Sequence, residues 1–114
     1  MKLEIGIYCF NKTNRKLGIG KIINFQSNNN VNIKYKNDIE LVSVGNIVAS
    51  HNIIDLIEVG DYVNGYKVTL IASDKRCLYA EDDEGYLIET IETNNIKAIV
   101  TKEQFESMSY KVGA

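Results

Sequence analysis

The chain has 114 residues, 45% of them apolar and 25% charged, with a net charge of −2 at neutral pH. That balance belongs to an ordinary globular protein and excludes a disordered or strongly polybasic one. No apolar run approaches the roughly 18 residues of a membrane span, and Glu4 interrupts the start before any signal-peptide core, so the expected location is the cytoplasm and no membrane partner is implied.

Short runs that alternate apolar with polar residues and are rich in Ile, Val and Tyr carry the period of half-buried strands. They predict strands over 3–10, 18–26, 31–36, 39–42 and 47–50. In Val31-Asn32-Ile33-Lys34-Tyr35-Lys36 the alternation is strict, which turns Val31, Ile33 and Tyr35 to the core and the lysines to water. Phe25 also falls on an inward position. One helical turn or a further strand is expected at 52–57. Strands then follow over 61–63, 66–73, 76–81, 86–91 and 96–100. Asn64-Gly65 between two of them is a type I′ hairpin signal, because both central residues of that turn need positive φ. Thr101 caps a closing helix over 101–109, with Glu103 in its first turn and Phe105 and Met108 on one edge. That helix is expected to cover an open end of the strands that precede it.

The order repeats itself. Leu3-Glu4-Ile5-Gly6-Ile7-Tyr8-Cys9 returns as Ile57-Glu58-Val59-Gly60-Asp61-Tyr62-Val63, and Asn46-Ile47-Val48-Ala49 returns as Asn95-Ile96-Lys97-Ala98. Two related units, 1–50 and 51–114, are therefore expected, each of five short strands with a brief turn before the fifth. The fold class is all-β. Strand number and order resemble two tandem SH3-like small barrels, packed together because a unit of about 50 residues buries too little alone. Gly6 and Gly60, at matching places, are read as bends or bulges. Cys9 and Cys77 fall at different places in their units and are expected to be free thiols.

From 52 to 68, and again from 99 to 112, the chain resembles a family of small phage and prophage proteins of low-GC Gram-positive bacteria. The strings Asn52-Ile53-Ile54-Asp55-Leu56-Ile57-Glu58-Val59-Gly60-Asp61-Tyr62-Val63-Asn64-Gly65 and Ile99-Val100-Thr101-Lys102-Glu103-Gln104-Phe105-Glu106 carry the resemblance. It implies provenance, a bacterial host cytoplasm, and the habit of such accessory proteins of binding and disabling a host protein, including CRISPR and other defence components.

Charge is the informative surface property. Residues 1–50 hold seven basic and three acidic residues, a net +4, and residues 51–114 hold six basic and twelve acidic, a net −6. The units should form an electrostatic dipole, and the opposite halves give a route to a homo-oligomer. On the acidic unit, Asp74, Tyr79, Glu81, Asp82, Asp83, Glu84, Tyr86 and Glu89 offer a carboxylate and tyrosine surface for a basic protein partner, the preferred reading being an anti-CRISPR or other anti-defence inhibitor. On the basic unit, Lys12, Arg15 and Lys16 crowd one loop and Lys34 and Lys36 share a strand face, which suits phosphate contacts and makes a nucleic-acid-binding module the alternative. A third reading is a sponge for a nucleotide signal, its phosphates near Lys12, Arg15 and Lys16. No cofactor is implied. Consecutive Asp82, Asp83 and Glu84 lack the alternate spacing of a calcium loop, so no metal is expected. His51 is the single histidine and has no triad partners, so no catalytic residue is assigned and a non-enzymatic protein is expected.

Overall fold

The computed structural model describes residues 2–82, 84, 85 and 88–108. The first five strands are β1 (Tyr8–Asn11), β2 (Gly20–Phe25), β3 (Asn30–Lys34), β4 (Ile39–Ser43) and β5 (Ile47–Ser50). They form one antiparallel sheet in the order β4-β3-β2-β1-β5. The next five are β6 (Tyr62–Val63), β7 (Tyr66–Ile71), β8 (Cys77–Glu81), β9 (Ile88–Glu92) and β10 (Ile99–Val100), in the order β10-β6-β7-β8-β9. Numbered within each sheet, both orders are 5-1-2-3-4. One short helix, α1 (Lys102–Met108), closes the described chain. Among the described residues no helix is long and apolar enough to cross a membrane.

The two sheets match at the level of single hydrogen bonds. Before each first strand a turn closes with Ile7 N–H on Glu4 O at 3.2 Å and with Asp61 N–H on Glu58 O at 3.0 Å. Gly6 and Gly60 take φ of +90° and +100° there, conformations that L side chains resist. Their N–H groups donate to Ile22 O and Val68 O, and Ile22 and Val68 donate back to Ile7 O and Asp61 O. One residue further on, each second strand carries a bulge, between Ile22 and Asn24 and between Val68 and Leu70. A 3₁₀ turn stands before each last strand, at Val44–Asn46 and Thr93–Asn95. The expected first strand over 3–10 is thus shorter, because 4–7 make the glycine turn.

Each sheet curls over its own core. Ile7, Cys9, Ile22, Val31, Ile33, Tyr35 and Val42 fill the first, and Ile54, Ile57, Val63, Val68, Leu78, Ala80 and Ile91 fill the second. Val31, Ile33 and Tyr35 point inward as their alternation requires. Phe25, opposed to Val31, shares that inward phase but lies at the strand end and is 47% exposed, so its expected place in the core is corrected. Cys9 and Cys77 are free. Asn64 and Gly65 have φ of +53° and +87°, as the hairpin between β6 and β7 demands. The Asn64 amide also accepts from Lys97 N and Ala98 N and donates to Asn95 O, which pins the approach to β10.

The segment joining the sheets is a 3₁₀ turn, Ile53–Leu56, capped by the Asn52 side chain. Leu56 and Phe10 are buried but belong to neither core. They lie where this turn packs against β1. Helix α1 packs against the 3₁₀ turn Arg15–Leu17 of the first sheet. It therefore ties the sheets together: besides this contact with the first sheet, Phe105 stacks on Tyr62 of β6 in the second.

Candidate functional site: a basic groove between the sheets

Arg15 sets the relation between the two halves. Its Nη1 donates to Asp61 Oδ1 at 3.1 Å and to Glu103 Oε1 at 2.8 Å, and its Nη2 donates to Asp61 Oδ2 at 2.8 Å and to Leu56 O at 3.1 Å. Nε lies 3.3 Å from Glu58 Oε2 without hydrogen-bond alignment. The guanidinium also sits 4.7 Å from the centre of the Phe10 ring. Asp61 is wholly buried, and its two oxygens accept further bonds from Glu58 N and Lys102 N, so the carboxylate has four donors. Burial pulls the Arg15 pKa down, but the Asp61 hydrogen bonds and the charges of Asp61, Glu58 and Glu103 outweigh it, and the net direction is up. The cation stays charged.

Thr101 completes this seam. Its hydroxyl donates to Arg15 O at 2.8 Å and accepts from Gln104 N at 3.0 Å, while Gln104 Oε1 accepts from Thr101 N at 2.9 Å. Thr-x-x-Gln is a capping box, here fused to a bond between the halves. Gly18 leaves room for it: with φ of +91°, a Cβ at that position would lie 2.6 Å from Gln104 Oε1.

Elsewhere along the junction the walls part, leaving a groove of about 500 Å³. Its cations are Lys21, Lys34 and Lys36 from the first half and Lys97 from the second, and its described lining holds no carboxylate. All four lysines are exposed, and none forms an ion pair among the described residues. The apolar lining is Ile19, Ile23, Ile53, Ile96 and Ile99, with Tyr8 beside them. Lys21 Nζ is held 4.9 Å over the Tyr8 ring.

Lys21 and Lys34 are directly opposed across β2 and β3. Like charges in that relation destabilise a sheet. The second sheet supplies the comparison, because Ile22 and Val68 make the same bond to the first strand and their preceding residues are Lys21 and Lys67. Lys67 is opposed by Glu81, a complementary pair. The matching place thus opposes unlike charges in one sheet and like charges, at a groove, in the other. The neighbouring tyrosines differ as well. Tyr62 is stacked on Phe105 of α1 with centroids 4.4 Å apart, whereas Tyr8, its counterpart, lines the groove.

The residues singled out from sequence divide accordingly. Lys34 and Lys36 come together in the groove. Lys12 and Lys16 are exposed elsewhere in their loop. Arg15 is 7% exposed and neutralised at the seam, so its assignment as a phosphate contact is corrected. On the acidic side, Tyr79 and Glu81 alternate with the buried Leu78 and Ala80 and share the outer face of β8. Glu89 is opposed to Ala80 and is therefore in the other phase. Asp74 and Asp82 cap their own turns through Arg76 N and Glu84 N. Glu84 is exposed beside Asp82, and Asp83 and Tyr86 lie outside the described residues. The continuous row of carboxylates is thus broken by register, and Lys67 stands directly opposite Glu81. Glu58, Asp61 and Glu103, meanwhile, gather on Arg15.

Lys21 and Lys97 are the groove cations that sequence reasoning missed. Counted back along β2 and β3 from the Phe25–Val31 pair, an unbroken register would set Lys21 against Tyr35; the bulge moves it onto Lys34. No protein-family model matches the chain, and no curated protein or solved structure matches it.

Proposed function

We propose that this chain is a non-enzymatic binding protein, built as two SH3-like barrels in tandem, that takes a phosphate-bearing ligand in the basic groove between them. The single observation that carries this reading is the Lys21–Lys34 pair, like charges opposed in register at a groove, where the matching position of the second sheet opposes Lys67 to Glu81. Clustered cations without internal counterions are what phosphates require. The shared 5-1-2-3-4 strand order and the 3₁₀ turn before each last strand support the barrel assignment. Fluorescence anisotropy with labelled DNA, RNA and nucleotides at about 50 and 200 mM salt tests the reading: binding that falls steeply with salt and is lost in a Lys21→Gln, Lys34→Gln double variant is expected. Absence of binding to every probe at low salt overturns it.

A second reading follows from the phage resemblance: a host defence protein with a basic surface is captured by the acidic unit. Tyr79 and Glu81 on one outward face of β8 favour it. Charge reversal at Glu81, Asp82 and Glu84 removes capture of the host protein under this reading, whereas under the first it leaves phosphate binding in the groove intact.

A further inference from the structure

We infer that the ligand of the groove is a nucleotide or dinucleotide, with its phosphates against the lysines and its base against Tyr8 and the isoleucine wall. This rests on the phosphate-binding reading above and adds the class of ligand. Three observations carry it. The groove is the size of a small-molecule site, which runs from roughly 300 to 1,000 Å³, at about 500 Å³. It is also mixed in character: Lys21, Lys34 and Lys36 stand on the first half beside Ile19 and Ile23, while Ile96, Ile99 and Lys97 come from the second and Ile53 from the joining turn. A bare phosphate uses only the cations, whereas a nucleotide uses both surfaces.

The third observation is internal to the fold. At the tyrosine that ends each glycine turn, the second barrel stacks an aromatic ring of its own, Phe105 on Tyr62 at an interplanar angle of 25°. Among the described residues no such ring is stacked on Tyr8 in the first barrel; Lys21 Nζ lies over it instead. Phe105 shows what the tyrosine at this place accepts, and a nucleobase offers the equivalent flat face. A long single strand is disfavoured, because the exposed aromatic of the first sheet, Phe25, is opposed to the buried Val31 and so lies in the inward phase, away from the Lys21–Lys34 row. Among the described residues no run of stacking rings leads out of the groove.

The test is calorimetric titration of the full chain with four probes: inorganic pyrophosphate, adenosine 5′-diphosphate, a 3′,5′-linked adenine dinucleotide, and oligothymidylate of about twelve nucleotides. The expected result is that one of the two adenine probes binds at least tenfold more tightly than pyrophosphate and displaces oligothymidylate. Tyr8→Ala should remove that tenfold advantage, Tyr8→Phe should keep it, and neither should alter pyrophosphate binding. Because Tyr8 is only half-buried, circular dichroism of both variants separates loss of stacking from loss of fold. Pyrophosphate binding as tightly as the adenine probes overturns the inference. So does oligothymidylate binding without either adenine probe, although phosphate binding then stands. Silence from all four removes both.

Discussion

Asp61 receives both terminal nitrogens of Arg15 across the seam between the sheets, and it occupies the position that Ile7 fills with a core side chain in the first sheet. One place in a duplicated turn has become hydrophobic core in one copy and a buried counterion in the other. Arg15 is thereby held by the half to which it does not belong. The walls of the groove come from both halves, so the same contact fixes their separation.

Asp61→Asn is expected to lower stability by about 3 to 5 kcal/mol, because it leaves a buried guanidinium without its principal partner. Glu103→Gln, at a partly exposed carboxylate, should cost only about 1 kcal/mol. Urea unfolding of the two variants makes the comparison; equal losses would place the seam's stability elsewhere.

Thr101→Ala removes the helix cap and strands the Arg15 carbonyl. A loss of about 1 to 2 kcal/mol is expected, with Thr101→Ser keeping most of it. Hydrogen exchange should rise first in α1 and in the 3₁₀ turn at Arg15–Leu17, since both ends hang on one hydroxyl.

Lys34→Glu recreates in the first sheet the pair that Lys67 and Glu81 make in the second. It should stabilise the free protein by roughly 0.2 to 1 kcal/mol and abolish anion binding in the groove. A melting temperature that rises while affinity falls is the signature of a repulsion retained for function; a lower melting temperature counts against it.

Gly20 permits the close approach of β2 and β3 beneath those lysines. A Cβ there would collide with the Lys34 carbonyl and lie 2.8 Å from Ile33 Cγ2. Gly20→Ala should therefore cost about 1 to 3 kcal/mol and weaken groove binding. Gly6→Ala meets nothing within 4 Å and should show only the cost of its positive φ, about 1 to 2 kcal/mol.

Alkali should unfold the protein through its core. Burial pushes the Cys9 thiol up to about 12, and burial together with the Glu40 hydrogen bond at 2.9 Å raises Tyr35. Both groups ionise more readily in the unfolded chain. Stability is therefore full below the ordinary thiol range near 8.5 and falls as pH climbs from there toward 12, by up to about 1.4 kcal/mol per pH unit for each group. Chemical denaturation at pH 7, 9 and 10.5 reads the slope, and Cys9→Ala should make it shallower.

Much of this architecture was legible in the chain because it rests on local rules. Strict alternation placed Val31, Ile33 and Tyr35 in a core, Asn64-Gly65 specified its turn through positive φ, and Thr101 with Glu103 announced a helix start, to which the structure adds Gln104 as the partner of the cap. The repeated Glu-x-Gly pattern pointed to equivalent backbone features at Gly6 and Gly60, read as bends or bulges, and the matching hydrogen bonds show them to be turns. What misled was charge counted by segment. A sum over residues 1–50 treats Arg15 like Lys16, although one is buried among carboxylates and the other meets water.

The sequence by itself determined which segments form strands, tight turns and a helix, though not each strand's first residue, since periodicity, capping and glycine conformation act over a few residues. Only the tertiary structure decided which cations work together. A bulge set Lys21 against Lys34, and the packing of one half on the other brought Lys97 to the same groove while drawing Arg15 out of reach. Electrostatic energy depends on distance and burial through space, and neither quantity is written in the order of the residues.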